Sequence, residues 1–312
     1  MNVKKDSSGK SFFKTTAGKF VLAVVVAVLI ILSFFGYQLY SLSHPEKSAN
    51  QNDPGKFLLH FEEIDFKSAD GILLSGWFIP GVKKGPVLIL CHKLGSSKSS
   101  LLNIAIPLQM DGYNIFLFDF RNSGDSKGTA SSFGILEARD ILGAVDYLIT
   151  RNDIDANRIG ILGVEMGAYA AVLAACERKN IRAIAMDSLY PDLKYYFTRK
   201  LFGDSEFGGK YLSPIPLFLY SIYFGTEPSA QKASSKLRTL QDRDLLFIVG
   251  MGDRKMMNST RAIYGSLRET IDSEKNLIEL PSSESAELYG EDKKNYDEKV
   301  LSFFQTYLPI KK

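Results

Sequence analysis

The chain is 312 residues long and 45% hydrophobic, a normal proportion for a soluble core, and that length accommodates one large α/β domain or two ordinary ones. The formal charge is +3, but Lys4, Lys5, Lys10, Lys14 and Lys19 against Asp6 place +4 in the first nineteen residues. The remainder holds 33 basic against 34 acidic side chains, which excludes a basic face for nucleic acid.

Phe20 to Tyr40 carries no charge, and the run from Val21 to Leu32 is apolar all round. Roughly 20 residues at about 1.5 Å each cross a bilayer core, so residues 20–40 read as a transmembrane helix. A cleaved signal peptide is the competing reading, since Ser41-Leu42-Ser43 supplies small residues, but the apolar region of such a peptide spans only about 7–15 residues. Five lysines precede the helix, and Lys47 and Lys56 follow it. The positive-inside rule then makes residues 1–19 a cytoplasmic tail and the main domain extracytoplasmic, on a single-pass protein of the cell membrane. Tyr37 and Tyr40 suit the far interface. Residues 41–56, polar and marked by Pro45, Pro54 and Gly55, read as a flexible linker before a folded domain of residues 57–312.

Leu58 to Phe66 and Ile72 to Phe78, separated by a turn ending at Gly71, read as an antiparallel hairpin. Strand-length apolar runs follow at Val87–Cys91, Ile115–Asp119, Ile159–Val164, Ala183–Asp187, Leu245–Gly250 and Leu277–Leu280. Helical patterns near 99–111, 134–150, 167–179, 257–271 and 293–307 alternate with them. Such alternation predicts a parallel sheet covered by helices on both faces. Cys91 and Cys176 each fall in an apolar stretch, where a free thiol packs as a small hydrophobe. A disulfide between them is the other reading.

One segment breaks the rhythm. Between about residues 190 and 235 the next strand is delayed by an insertion rich in aromatics, among them Tyr195, Tyr196, Phe197, Phe207, Phe218 and Tyr223. It reads as packing between extra helices and the sheet, as a lid over a pocket, or as a surface facing a membrane or partner.

The most informative stretch runs from Arg158 to Cys176. A strand-like run meets Gly163-Val164-Glu165-Met166-Gly167 and then a helix of small residues. This is the strand, sharp turn, helix layout of a nucleophile elbow, Gly-x-Ser-x-Gly, with Glu165 where serine would stand. Three other pieces accompany it in order. They are Pro86 to Gly95 with His92-Lys93-Leu94, the turn Asp119-Phe-Arg121-Asn-Ser-Gly124-Asp-Ser126-Lys-Gly128, and the strand end Met186-Asp187-Ser188. Together they resemble the α/β-hydrolase superfamily, in particular its serine aminopeptidase-like and esterase-like branch. That resemblance implies a mostly parallel sheet of about eight strands flanked by helices, with a helical cap-like insertion.

It also implies a site. The triad positions, in the family's order of serine, acid and histidine, fall on Glu165, Asp253 and Ser285, with Glu284 beside the last. The histidines of the chain are His44, His60 and His92, so no base follows residue 92. The oxyanion-hole donors correspond to the amides of Met166 and Leu94, with Lys93 where the family has glycine. Without serine and histidine, only roughly 10³–10⁴-fold catalysis over water is expected.

A carboxylate nucleophile at Glu165 would resemble the aspartate of dehalogenases and epoxide hydrolases. It would still lack the histidine that activates water, and it is one methylene too long for near-attack geometry. More naturally, Glu165 folds onto the amides of Met166 and Leu94 at the helix N-terminus and plugs the hole. Asp253 is then a leftover acid or a partner for Arg254 or Lys93. No cofactor is expected, and a metal held by Glu165 and Asp253 would want further ligands. The sequence therefore predicts a catalytically inactive hydrolase-like protein that binds a small molecule, lipid, peptide or partner protein in the inherited cleft. The alternatives are an active esterase- or peptidase-type hydrolase using Glu165, and a structural module whose cleft the insertion fills.

Overall fold

The computed structural model describes residues 16–267, 276–281, 288 and 290–310. Its strands are β1 (Glu62–Lys67), β2 (Leu73–Ile79), β3 (Val87–Cys91), β4 (Asn114–Phe118), β5 (Ile159–Val164), β6 (Ile181–Asp187), β7 (Asp244–Gly250) and β8 (Leu277–Leu280). They form one sheet in the order β1-β2-β4-β3-β5-β6-β7-β8. β1 and β2 make the expected hairpin, β2 pairs antiparallel with β4, and the remaining pairings are parallel. The first strand begins later than its apolar pattern suggests. A 3₁₀ turn at Pro54–Phe57 precedes it, ended by Leu58 in the left-handed region at φ 60°.

Both faces of the sheet are covered, which is why the central strands read as unbroken apolar runs. Ile89 and Cys91 point into a core shared with α3 (Glu137–Thr150) and α4 (Met166–Ala175). Leu88 and Leu90 point into the opposite core, beneath α2 (Leu102–Met110) and α9 (Gly290–Tyr307). The parallel register aligns Cys91 with Gly163, Val164 with Asp187 and Asp187 with Ile248. The carboxyl ends of β3, β5, β6 and β7 therefore lie side by side, where ligands bind in open α/β sheets.

The turn after β4 is held by buried charge. Asp119 is fully buried and accepts from the backbone amide of Lys98 at 2.7 Å, from Lys98 Nζ at 2.5 Å and from the amide of Asp125 at 3.0 Å. Lys98 is itself fully buried, lies 4.7 Å from the Trp77 ring centroid, and pairs at 2.8 Å with Asp125. Arg121 is forked onto Asp140 and Asp70, its Nη2 at 2.7 and 2.8 Å respectively. The side chains of Asp119 and Arg121 are thus committed to holding loops, a structural role.

The N-terminal helix α1 runs from Thr16 to Ser43, 28 residues, and is long and apolar enough to cross a membrane. Its last turns are not free. Phe35 and Leu39 are 4% and 3% exposed, and Phe35 lies 5.8 Å from the ring of Phe202 in the insertion. Nor is the segment after it a loose linker. The Ser43 carbonyl accepts from the amide of Ser131 at 2.8 Å, Lys47 Nζ donates to the Ser126 carbonyl at 2.7 Å, and Asn50 donates to both Asp119 and Asp125. Lys47 and Asn50, in the segment read as a flexible linker, are spent on the turn after β4.

The insertion contains α5 (Leu193–Phe197), π-helical turns at Thr198–Phe202 and Gly208–Leu212, α6 (Pro214–Phe224) and α7 (Ala233–Lys236). Its aromatics divide. Tyr196, Phe197 and Tyr220 are buried around Phe133, with ring centroids 5.2, 5.1 and 6.2 Å away. Phe207, Tyr211, Phe218 and Tyr223 are exposed. Cys91 is a buried free thiol as expected, and burial pushes its ionisation far up. Cys176 is also free but exposed, because α4 ends at Ala175 and carries the next residue out of the core.

Candidate functional site

The turn from β5 into α4 is the centre of the site. Glu165 sits there at φ 49°, ψ −105°, a conformation that costs a non-glycine residue about 1–3 kcal/mol. Its amide donates to the Asp187 carbonyl at 2.8 Å and its carbonyl accepts from Tyr169 at 3.0 Å, so the strained backbone is pinned on both sides. The flanking glycines are steric necessities. A Cβ on Gly163 would lie 2.5 Å from the amide nitrogen of Ala168, and one on Gly167 would lie 2.2 Å from the Cys91 carbonyl oxygen.

The Glu165 side chain is half-buried and lines a cleft of about 820 Å³. The expected plug is not formed: among the described residues the carboxylate accepts no hydrogen bond from Met166, Leu94 or any other group. A capping side chain needs an extended backbone at the cap residue, and the left-handed turn denies it that geometry. Met166 opens α4 and is buried, while Leu94, beyond the end of β3, packs half-buried on the core. Lys93 stays out of the left-handed region, and the positive φ falls at Gly95 instead, at 73°.

Asp253 follows β7 and caps α8 (Arg254–Leu267), with Oδ1 accepting from the Met256 amide at 3.0 Å. Its other oxygen accepts from Arg199 at 2.8 Å. Neither Arg254 nor Lys93 is its partner, because the capping bond turns the second oxygen toward the insertion. Arg199 also reaches Asp204 at 3.3 Å, and Asp204 pairs with Lys255 at 2.6 Å. Solvent screens these pairs, so they add little stability, but they link the insertion to the strand ends. Loss of the cap in Asp253→Ala is expected to cost about 1 kcal/mol, and Asp253→Asn close to nothing. Urea unfolding of the two variants tests this, and equal losses would deny Asp253 a capping role.

The cleft is open, so the insertion does not fill it. Ser188, at φ 55° after β6, lines it together with Tyr190, Tyr195, Tyr196 and the charged residues Arg199, Lys200, Arg254 and Lys255. None of the three histidines lines it. His92 is fully buried: Nε2 accepts from the Phe120 amide at 3.1 Å, which leaves the proton on Nδ1, donated to the Lys93 carbonyl at 2.8 Å. Burial lowers its proton affinity, so it stays a neutral loop-holding group. Ser285 and Glu284 lie outside the described residues. Sequence reasoning missed Arg199, which nothing in the sequence sets apart from the insertion's other cations, Lys194, Lys200, Lys210 and Lys232.

Strand order, elbow and insertion together are those of the α/β-hydrolase fold, and known proteins agree. The esterase Pf2001 of Pyrococcus furiosus superposes with a TM-score of 0.67 at 21% identity, covering 86% of this chain and 99% of the esterase. The acylaminoacyl peptidase of Pyrococcus horikoshii gives 0.57 at 17% identity, covering 84% of this chain and 45% of the peptidase. In sequence, the uncharacterised protein YfhR of Escherichia coli is 29% identical over 219 residues, 64% of this chain and 72% of YfhR. The alpha/beta hydrolase domain-containing protein WAV2 of Arabidopsis thaliana is 29% identical over 175 residues, 54% of this chain and 56% of WAV2. The pattern of the prolyl oligopeptidase family matches residues 111–310, from β4 through the elbow to the end of α9, and the chain belongs to that family.

Proposed function

We propose that this is a membrane-anchored α/β-hydrolase-fold protein that binds its ligand in the cleft without serine-hydrolase turnover. The observation that carries the reading is the company of the two triad-equivalent positions inside the cleft. Glu165 occupies the strained elbow with no histidine beside it among the described residues, and the Asp253 carboxylate is taken up by Arg199 and the Met256 amide. The elbow carries a carboxylate in place of a hydroxyl, and no histidine lines the cleft among the described residues, whereas serine acyl transfer needs a hydroxyl and its activating imidazole together. The ligand is a small molecule, lipid or peptide with an apolar part for the tyrosines and a polar group for the charged rim. The helix α1 supplies the anchor.

One observation favours a second reading. The Glu165 carboxylate, unbonded among the described residues and facing the cleft, is available as a nucleophile or base. Fluorophosphonate labelling and ester turnover on the full chain separate the two. Wild type is expected to be silent, and a Glu165→Ser, Ser285→His double variant to label. Turnover by the wild type that Glu165→Gln abolishes would establish the carboxylate mechanism and overturn the binding reading. The full chain is required because Phe35, Leu39 and Ser43 are buried against the domain.

A further inference from the structure

α6 is apolar on all sides, which is the mark of a helix buried all round. No charged residue occurs from Tyr211 to Thr226, and the polar Ser221 returns its hydroxyl to the Leu217 carbonyl at 3.1 Å. Yet only Pro216 and Tyr220 of α6 are buried in the domain. Phe218 and Ile222, one turn apart on α6, are 61% and 65% exposed, with Tyr223 beside them at 50%, and Phe207 and Tyr211 from the π-helical turn before it are 65% and 58% exposed. An apolar stripe of this kind marks a contact surface.

The position of α1 says with what. Phe35 and Leu39 lie inside the uncharged stretch of residues 20–40, and they are buried against the domain rather than left to lipid. Phe35 meets Phe202, while Tyr40 stacks on His44 at 4.0 Å and His44 shares a 3.4 Å hydrogen bond with the Tyr223 hydroxyl. At about 1.5 Å per residue, Phe35 lies roughly 7 Å below Tyr40 along the helix axis. An insertion that meets Phe35 through Phe202 and His44 through Tyr223 spans the helix from above Tyr40 down to that depth in the leaflet, which matches the roughly 5–10 Å seat of interfacial helices. The tyrosines at its margin suit the headgroup boundary.

We propose that the stripe formed by Phe207, Tyr211, Phe218, Ile222 and Tyr223 is a second membrane contact, seated in the outer part of the bilayer beside α1. The inference rests on the reading of α1 as a membrane span. It gives the anchored domain a fixed orientation rather than a tethered one, and it holds the insertion that frames the cleft against the lipid surface.

The test uses the full chain in nanodiscs of phosphatidylcholine, one copy per disc so that a second copy cannot cover the stripe. Ile222→Trp and Ile30→Trp are compared with wild type, whose single tryptophan, Trp77, is 4% exposed within the domain. Lipids brominated on the acyl chains quench tryptophan by contact. The added tryptophan is expected to be quenched at both positions, with the Trp77 background unchanged. Quenching at residue 30 alone overturns the second contact and leaves the span. Quenching at residue 222 alone keeps the contact and removes the span, and quenching at neither overturns both. A stripe untouched by lipid that becomes protected at two copies per disc identifies a dimer face and also overturns the proposal.

Discussion

Replacing Lys98 by methionine is expected to lower the unfolding free energy by about 3–5 kcal/mol at neutral pH, the usual cost of removing one partner of a buried ion pair. Lys98 and Asp119 are both fully buried. Methionine matches the aliphatic stem of lysine out to Cε and lacks only Nζ, the charged atom over the Trp77 ring. It leaves the Asp119 carboxylate with the amides of Lys98 and Asp125 and with Asn50, but with no cation. The network also holds residues 41–56 through Asn50, so the loss spreads beyond one turn.

The pH dependence has a definite sign. Burial alone would raise the Asp119 pKa, but the charge and hydrogen bonds of Lys98 outweigh it and hold the group below its ordinary value. A depressed folded pKa contributes stability above the unfolded value of about 3.9, and that stability is lost as pH falls through the folded pKa. In Lys98→Met, desolvation is no longer opposed by the cation and the folded pKa rises, so that contribution reverses. The deficit is therefore full at neutral pH, begins to narrow as pH falls through the variant's raised folded pKa, and continues to narrow down through the depressed wild-type value. Urea unfolding followed by Trp77 fluorescence measures it. A loss under about 1 kcal/mol, or one independent of pH, would mean that the pair is not fully desolvated.

The sheet was legible because its strands are apolar on both sides. Val87–Cys91 and Ile159–Val164 were read to the residue. The elbow was legible because two glycines and a strand-to-helix switch leave a pattern that stands with glutamate at its centre. What escaped depends on partners distant in sequence. Residues 41–56 look like linker, and only the fold brings Lys47 and Asn50 to groups more than 60 positions away. Arg199 was invisible for the same reason, since its partner Asp253 lies 54 positions on, beyond the rest of the insertion and β7. The aromatics of the insertion could not be sorted from composition, because burial of Tyr220 and exposure of Ile222, two positions apart, depend on how α6 is seated. The plug failed on local grounds: a side chain at a left-handed turn cannot cap the helix that follows it.

Two positions in the elbow should answer substitution with opposite signs, which separates its architecture from its chemistry. In Gly167→Ala the new methyl lies 2.2 Å from the Cys91 carbonyl oxygen and 2.7 Å from its carbonyl carbon, both backbone atoms of a central strand. Relief requires α4 and β3 to part by roughly an ångström in a close-packed interior. Overpacking commonly costs about 1–3 kcal/mol, and a clash of backbone against backbone belongs at or above the top of that range. At Glu165 the strain is already present. Glutamate to glycine releases about 1–3 kcal/mol of backbone strain against about 0.5–1 kcal/mol of added chain entropy, a net gain near 1 kcal/mol. Paired unfolding curves should show Gly167→Ala destabilised and Glu165→Gly unharmed or stabilised. If Glu165→Gly is instead destabilising by more than about 1 kcal/mol, the carboxylate makes a favourable interaction in the folded state, and the cleft holds a partner for it. A strained residue that adds no stability of its own is kept for what it presents, and here that is a carboxylate aimed into an open cleft.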